Sequence, residues 1–383
     1  MSVTAGNHAV EVSESSQVEK PIEKLFQAMV KYGASDLHLK VGAVPILRIK
    51  GSLQQVRGME PLTDRQLQKL VYDILSPAQV DAFEGQGSLD LAHEFGTERR
   101  RVRLAVFKQR GHISLAARLV QDHIPTFEEL HLPPKLRDIA SLHRGLVLVC
   151  GSTGCGKSTT LAAMIGHINS TRRCHILTIE DPIEFSFKDD KSFINQREIG
   201  IDVPSWREAL KRALRADPDV MMVGEMRDPD TFEAALAASE TGHLVLGTVH
   251  STNAAQTVDR ILDMFPRERH RLLRQELAAH LRAIICQMLL PSHREGVDRV
   301  PAVEIMLSNP TIRNLIIKEE ERKISDVVAG SRAEGMQDMT QALADLVQRD
   351  WVLRKVALEF APNRERLLMT LRGIATETGG IIG

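Results

Sequence analysis

Hydrophobic residues in the first third of the chain recur with two different spacings. Ile22, Leu25, Phe26 and Met29 lie three or four positions apart, which predicts a helix. Beyond them, hydrophobic and polar residues alternate, which predicts strands. Strands are expected at 37–41, 46–50, 89–95, 101–107 and 113–119, and a second helix is expected over 63–74. Strands combined with one or two helices predict a small α+β domain over residues 21–120.

In the second part of the chain, short and almost wholly apolar runs alternate with helix-forming segments. Four such runs lie at 146–150, 175–179, 220–223 and 244–249. Runs of this kind are typical of parallel strands that are covered on both faces. Their alternation with helices predicts a doubly wound α/β domain. After about residue 265 the pattern is mostly helical, with one strand expected at 302–307.

The same patterns predict the domain boundaries. A polar stretch rich in serine and glutamate predicts a loose tail over 1–20. A stretch that contains prolines predicts a linker over 121–140. The α/β domain with its C-terminal helices is expected over 141–365, followed by a short tail at 366–383.

Composition narrows the class of protein. Of 383 residues, 43% are hydrophobic and 26% are charged, as in ordinary soluble globular proteins. The 49 lysines and arginines nearly balance the 50 aspartates and glutamates, and aromatic residues make up only 4%. Balanced charge and few aromatic side chains argue against a protein that holds nucleic acid by bulk electrostatics or by base stacking.

Targeting features point to a cytoplasmic protein. The chain has no apolar run of about 18 residues, so no membrane-spanning helix is expected. The N-terminus has no basic region followed by an apolar one, so no signal peptide is expected. The four cysteines show no CxxC spacing, so neither a zinc site nor a disulfide framework is expected.

A phosphate-binding motif follows the first apolar run of the α/β domain. The pattern G-x-x-x-x-G-K-[ST] opens a helix there, which is the context that this motif requires. Glycines let backbone N–H groups turn toward phosphate oxygens, and the helix N-terminus adds partial positive charge. Lys157 is expected to reach the β- and γ-phosphates of ATP, and the Ser158 hydroxyl to bind Mg²⁺. The residues of this expected nucleotide cradle are Gly151, Ser152, Thr153, Gly154, Cys155, Gly156, Lys157, Ser158 and Thr159.

Cys155 lies inside this loop, beside Lys157 and a helix N-terminus. Both neighbours favour the thiolate over the thiol. The sequence therefore predicts a thiol with a lowered pKa that reacts with maleimide or mild oxidants and that ATP protects.

Two acidic clusters follow predicted strands, where α/β proteins build their sites. One contains Glu180, Asp181 and Glu184, and the other contains Glu225. A nucleotide site needs carboxylates to complete the metal site and to orient the attacking water. The pattern leaves open which carboxylate is the base.

Histidines and arginines give two further expectations. His243 and His250 flank the strand at 244–249, and their spacing of seven places them on opposite faces, so a shared metal is not expected.

A basic patch is expected in the first domain. It consists of the run 99–103, which includes Arg103, and of Arg118 on the next strand. This patch is either a solvated strand face or a source of an arginine finger for a neighbouring subunit.

Four motifs, in this order, resemble those of the type II/type IV secretion and pilus ATPases. Residues 176–184 resemble the Asp box of that family, 217–228 its atypical Walker B motif and 241–251 its His box, after the phosphate loop at 151–158. Residues 309–316 are similar to the AIRNLI signature of the members that retract type IV pili. The resemblance covers about residues 21–350.

This resemblance implies a fold and a set of roles. The fold is a PAS-like N-terminal domain followed by a RecA-like ATPase domain with helical C-terminal extension. Glu184 is the implied catalytic glutamate, and Glu225 the Walker B acid that supports Mg²⁺. His243 and His250 are implied to line the nucleotide pocket, and Arg103 and Arg118 to act at a subunit interface.

The resemblance also implies an assembly and a place in the cell. A cytoplasmic homohexamer, peripheral to the inner membrane, would hydrolyse ATP to drive pilus retraction and twitching motility. Its partners would be the platform protein at the pilus base and a paralogous retraction ATPase. Three alternatives stay open: an extension or secretion ATPase, a nucleic-acid motor, and an accessory ring subunit or paralogue.

Overall fold

A computed structural model describes residues 20–373. The chain forms two compact units, one that ends at Val120 and one that begins at Gln121. The predicted N-terminal tail lies outside the described residues, apart from Lys20.

The first unit is a six-stranded antiparallel sheet with three helices. Its strand order is β3-β2-β1-β6-β5-β4. Capping boxes begin α2 at Thr63 and α3 at Ser76. In each, the side chain of the N-cap residue accepts a hydrogen bond from the backbone N–H of the residue three positions later, and that residue's side chain accepts one from the N-cap N–H. The elements are α1 (Glu23–Tyr32), β1 (Ala34–Lys40), β2 (Ile46–Ile49), β3 (Ser52–Gln55), α2 (Asp64–Tyr72), α3 (Pro77–Gln86), β4 (Ser88–Phe95), β5 (Arg100–Gln109) and β6 (His112–Leu119).

The second unit is a seven-stranded sheet covered by helices on both faces. Its strand order is β13-β12-β7-β11-β10-β8-β9, parallel except for the antiparallel pair β12 and β13. The elements as far as β11 are α4 (Lys135–Ala140), β7 (Gly145–Cys150), α5 (Lys157–Thr171), β8 (His175–Glu180), β9 (Phe193–Glu198), α6 (Trp206–Ala213), β10 (Val220–Val223), α7 (Pro229–Glu240) and β11 (Leu244–Val249). The remaining elements are α8 (Ala254–Asp263), α9 (Arg267–His280), β12 (Leu281–Pro291), β13 (Arg299–Leu307), α10 (Pro310–Ile317), α11 (Ile324–Gly330), α12 (Met339–Gln348), α13 (Arg354–Phe360) and α14 (Arg364–Leu371), with short 3₁₀ turns at Leu214–Ala216, Glu321–Lys323 and Arg332–Glu334.

Complete burial of the central strands explains their composition. Every residue of β7, β10 and β11 is buried, because helices pack on both faces of the sheet. Alternate residues of β7 contribute to two different hydrophobic cores: Leu146 and Leu148 to one, Val147 and Val149 to the other. The predicted combination of an α+β unit with a doubly wound α/β unit is confirmed.

Five elements were not predicted: β3, α3, α4, β9 and β12. The longest of them, β12, follows α9 directly, with no glycine or proline between them to mark the boundary. Its mainly apolar run LRAIICQMLL is compatible with a buried helix as well as with a buried strand, since it shows neither the period of an amphipathic helix nor the alternation of a half-buried strand. The predicted strand at 302–307 is confirmed as the second half of β13.

The segments predicted as linker and C-terminal tail are partly built into the second unit. In the segment 121–140, Phe127, Leu132 and Leu136 pack in the same core as β7, and α4 occupies its last residues. At the other end, α14 continues to Leu371, and Leu367 is fully buried. Residues 374–383 of the predicted tail lie outside the described residues. The predicted domain boundaries stay predictions.

Candidate active site

A cavity of about 420 Å³ opens at the carboxyl ends of β7, β8, β10 and β11. Parallel strands present the loops that follow them at one edge of the sheet, which brings distant motifs together. Eleven of the predicted site residues line the cavity: Thr153, Gly154, Gly156, Lys157, Ser158, Thr159, Glu180, Asp181, Glu184, Glu225 and His250. The phosphate loop and both acidic clusters therefore share one site.

The backbone of the phosphate loop requires glycine at both ends. Gly151 has a φ of +148°, and a Cβ there would lie 2.4 Å from the sulfur of Cys155. Gly156 has a φ of +91° and directly precedes α5. Since no side chain caps the start of α5, its first N–H groups remain available for an anion. The loop therefore has the form that phosphate binding requires.

Lys157 lies against the loop that it follows. Its ammonium group donates hydrogen bonds to the carbonyl oxygens of Gly151, at 2.9 Å, and Ser152, at 3.1 Å. These bonds keep the charge beside the cradle, where it complements the N–H groups at the start of α5. The arrangement suits an anion with several oxygens, such as the phosphates of a nucleotide.

The structure contradicts the prediction that Cys155 is a reactive thiol. Cys155 is only 4% exposed, and its sulfur packs against Gly151 beneath the loop. Burial raises the pKa of the thiol above its usual range and outweighs the opposite effect of the nearby Lys157. Neither Cys155 nor Gly151 nor Ser152 lines the cavity: the first two are buried, and Ser152 is exposed.

Glu180 is a buried carboxyl group at the end of β8. It accepts hydrogen bonds from the hydroxyl of Thr178, at 2.6 Å, and from the side-chain amide of Gln196, at 3.1 Å. Burial raises its pKa to about 7, although these hydrogen bonds favour the ionised form. Both of these hydrogen bonds fall on Oε1, which is therefore already engaged within the protein.

Glu184, in contrast, is exposed on the loop after β8 and lines the cavity. Gln196 on β9 forms two hydrogen bonds with the backbone of this loop. Its amide nitrogen donates to the carbonyl oxygen of Phe185, at 2.8 Å, and its oxygen accepts from the N–H of Phe187, at 2.9 Å. The Glu184 backbone is thus fixed while its carboxylate faces the cavity. Gln196 was not predicted as a site residue because it lies on a polar edge strand.

Glu225 lies between a histidine and an arginine. Its Oε1 is 2.8 Å from Nε2 of His250, and its Oε2 accepts a hydrogen bond from Arg227. Burial opposes its ionisation, but the bond from Arg227 and the neighbouring His250 and Lys157 hold its pKa below the usual range. Glu225 is therefore an ionised carboxylate, whose oxygens are the kind of ligand that Mg²⁺ takes.

The two histidines lie at opposite ends of β11. His250 follows its carboxyl end, whereas His243 precedes its amino end and does not line the cavity. The Nδ1 atom of His243 lies 2.9 Å from both the carbonyl oxygen of Ala238 and the hydroxyl of Thr241, at the end of α7. The structure thus brings His250 to the site, and the predicted role of His243 stays a prediction.

Arg103 and Arg118 face each other across β5 and β6 in the first unit. The guanidinium of Arg118 is 67% exposed and pairs with the buried Asp36 at 2.7 Å. Within one chain these arginines belong to the first unit and do not line the cavity. Their predicted action on a neighbouring subunit stays a prediction.

Comparisons with known proteins agree with this site. The family model described as type II/IV secretion system protein matches residues 11–349. The chain is 41% identical over 341 residues to the type IV pilus retraction ATPase PilT of Pseudomonas aeruginosa, covering 89% of this chain and 98% of that protein. The type IV pilus ATPase PilU of the same organism is 37% identical and covers 91% of each chain.

A solved structure extends the likeness to three dimensions. The crystal structure of the pilus retraction motor PilT with bound ADP has 40% sequence identity and a TM-score of 0.82, over 91% of this chain and 98% of that one. The likeness therefore spans both units. With its four motifs, its fold and its site, the chain belongs to the type II/IV secretion system protein family.

Proposed function

We propose that this protein hydrolyses ATP and thereby drives the retraction of type IV pili, the motion that underlies twitching. The observation that carries the proposal is the 41% identity to a retraction ATPase over nearly the full length of both chains. The cavity supplies the chemistry that such an activity needs, because a phosphate cradle, a lysine and four carboxyl groups line it.

The phosphate loop binds the nucleotide, and Lys157 balances the charge that develops on the γ-phosphate. Ser158 and Glu225 would hold Mg²⁺, since both line the cavity and the carboxylate of Glu225 is ionised. The ion would neutralise phosphate charge when bound.

Glu184 is the proposed general base. Glu184 is exposed to the cavity and its loop is fixed by Gln196. Glu225 is half-buried: its Oε2 accepts a hydrogen bond from Arg227, and its Oε1 lies 2.8 Å from Nε2 of His250. Glu180 is 6% exposed and accepts two side-chain hydrogen bonds, which leaves it little access to an attacking water. An accessible carboxylate on a fixed loop is the geometry that proton transfer requires.

The assembly is part of the same proposal. The protein forms a ring of six copies, in which Arg103 and Arg118 approach the nucleotide of a neighbour. The ring lies beneath the inner membrane and passes its motion to the platform protein at the pilus base, with a paralogous ATPase as a further partner. Within residues 20–373, no helix is both long enough and apolar enough to cross a membrane.

Deletion of the gene tests this function. Cells without the protein are expected to carry excess pili and to lose twitching, and the wild-type gene, but not one carrying Lys157→Ala, is expected to restore motility. Loss of all pili would instead indicate an extension ATPase. Unchanged pili and motility would rule out a retraction motor and favour a secretion ATPase or an accessory subunit.

A further inference from the structure

A buried glutamine lies directly behind the phosphate loop. Gln287, on β12, is 4% exposed. Its amide nitrogen donates a hydrogen bond to the carbonyl oxygen of Cys155, at 2.6 Å, and its amide oxygen accepts one from the hydroxyl of Thr160, at 2.8 Å. One neutral side chain thus connects the loop to the first turns of α5.

β12, the strand that carries Gln287, also packs closely against both ends of the phosphate loop. A Cβ at Gly151 would lie 2.5 Å from the carbonyl oxygen of Gln287, and a Cβ at Gly156 would lie 3.1 Å from its amide nitrogen. The loop backbone therefore rests on β12 with no space between them. Gln287 is the polar group at this contact.

The hydrogen bond to Cys155 determines where the next N–H group points. The peptide bond between Cys155 and Gly156 is trans, so its C=O and its N–H point in opposite directions. Because the carbonyl is held toward Gln287, the N–H of Gly156 points away from β12, and Gly156 lines the cavity. Rotation of this peptide would turn a carbonyl oxygen toward the phosphates and would leave the Gln287 amide unpaired.

We propose that Gln287 is a positioning residue for nucleotide binding, which keeps the phosphate loop in its binding conformation by orienting the peptide between Cys155 and Gly156. This inference rests on the proposed nucleotide site and adds a residue outside its four motifs. Without Gln287, nucleotide binding must also order the loop, so the observed affinity falls by the fraction of molecules in the competent conformation.

The test compares two substitutions of the same type. Gln287→Met removes both hydrogen bonds at nearly constant length. Gln337→Met is the control, because Gln337 is a half-buried glutamine whose amide nitrogen also donates to a backbone carbonyl. That carbonyl belongs to Val303 on β13, at 2.6 Å, and not to the phosphate loop. The measurements are the dissociation constant of a fluorescent ADP analogue, KM and kcat for ATP, and the unfolding temperature.

Gln287→Met is expected to weaken ADP binding and to raise KM about tenfold, with kcat at saturating ATP within about threefold of wild type. Gln337→Met is expected to lower the unfolding temperature by a similar amount while the dissociation constant and KM stay unchanged. A merely structural role of Gln287 would instead lower the active fraction, and therefore kcat, at constant KM.

Thr160→Val gives a second, milder test, since it removes only the hydroxyl that holds the amide oxygen of Gln287. It is expected to weaken ADP binding about threefold, and the double variant to bind about as weakly as Gln287→Met alone, because both changes act on one unit. Wild-type affinity in a folded Gln287→Met protein would overturn the inference. Failure of the wild-type protein to bind ADP would overturn the proposed function and this inference with it.

Discussion

The two sides of the cavity are built on different physical principles. On the phosphate side, the loop backbone is fixed by two glycines, the buried thiol of Cys155, the amide of Gln287 and hydrogen bonds from the ammonium group of Lys157. On the opposite side, three carboxyl groups of the same chemical type lie in three environments. Glu180 is buried, Glu184 is exposed, and Glu225 is paired with His250 and Arg227. On the phosphate side, the conformation of the backbone determines what can bind. On the opposite side, the surroundings of each carboxyl group determine its role.

This contrast shows which properties a local motif can encode. The phosphate loop can be recognised from eight consecutive residues, so one stretch of sequence is enough to locate it. The pKa of Glu180 depends partly on Gln196, and that of Glu225 partly on His250, and neither neighbour lies in the same motif as its acid. Substitutions on the two sides should therefore have different consequences.

The largest effect is expected on the phosphate side, from Lys157→Ala. Loss of the ammonium group removes the charge that stabilises the γ-phosphate in the transition state, and ATP turnover should fall by about a thousandfold or more. Lys211→Ala, at an exposed position of α6, is the control and should keep wild-type turnover. Similar rates of ATP hydrolysis for the two variants in a phosphate-release assay would contradict the role given to Lys157.

The next largest effect separates the carboxyl groups. Glu184→Gln should lower hydrolysis by about a hundredfold or more while ADP affinity stays within a few-fold, because an amide still hydrogen-bonds but does not accept the proton. Glu180→Gln should cost less than about tenfold. If the two results are reversed, the base is Glu180; if Glu184→Gln is fully active and Glu225→Gln is not, the base is Glu225.

The sequence predicted the two sides unequally. The loop, its flanking strand and helix, and the two acidic clusters all follow from local patterns, and the structure brings them together as expected. Gln287 and Gln196 could not be predicted, because one lies in an unrecognised buried strand and the other on a polar edge strand. The environment of Cys155 was predicted wrongly, since its neighbours in sequence lower the thiol pKa but its burial, which depends on the fold, raises it.

A smaller effect concerns the pH dependence of stability. The pKa of Glu180 is about 7 in the folded protein and its ordinary value is 4.5, so the folded state binds the proton more tightly. The raised pKa of Glu180 therefore adds to the free energy of unfolding in full below about pH 4.5, and this contribution is lost as the pH rises through 7. Between pH 5.5 and 7.5 the wild-type protein should lose about 2 kcal/mol relative to Glu180→Gln.

Chemical denaturation of both proteins at several pH values measures this difference. Glu184 lies close to Glu180 and also raises its pKa, so Glu184→Gln should shift the transition slightly toward lower pH. Identical pH profiles for the wild-type protein and Glu180→Gln would show that the buried carboxyl group is already ionised at pH 5.5.

The smallest effect is expected at Cys155, and it tests whether the phosphate side depends on shape alone. Serine keeps the volume of the side chain roughly constant, and Cys155 contributes packing beneath the loop, not a reactive thiolate. Cys155→Ser should therefore bind ADP and hydrolyse ATP within about threefold of wild type.

In the native protein, maleimide should modify the half-buried Cys174 well before Cys155, because the reagent needs both access and thiolate. Mass spectrometry of labelled peptides, with Cys174→Ser as the control, follows each site separately. Rapid labelling of Cys155 that inactivates the enzyme and that ATP prevents would mean that the loop opens readily, and the phosphate side would then not be the rigid half of the site.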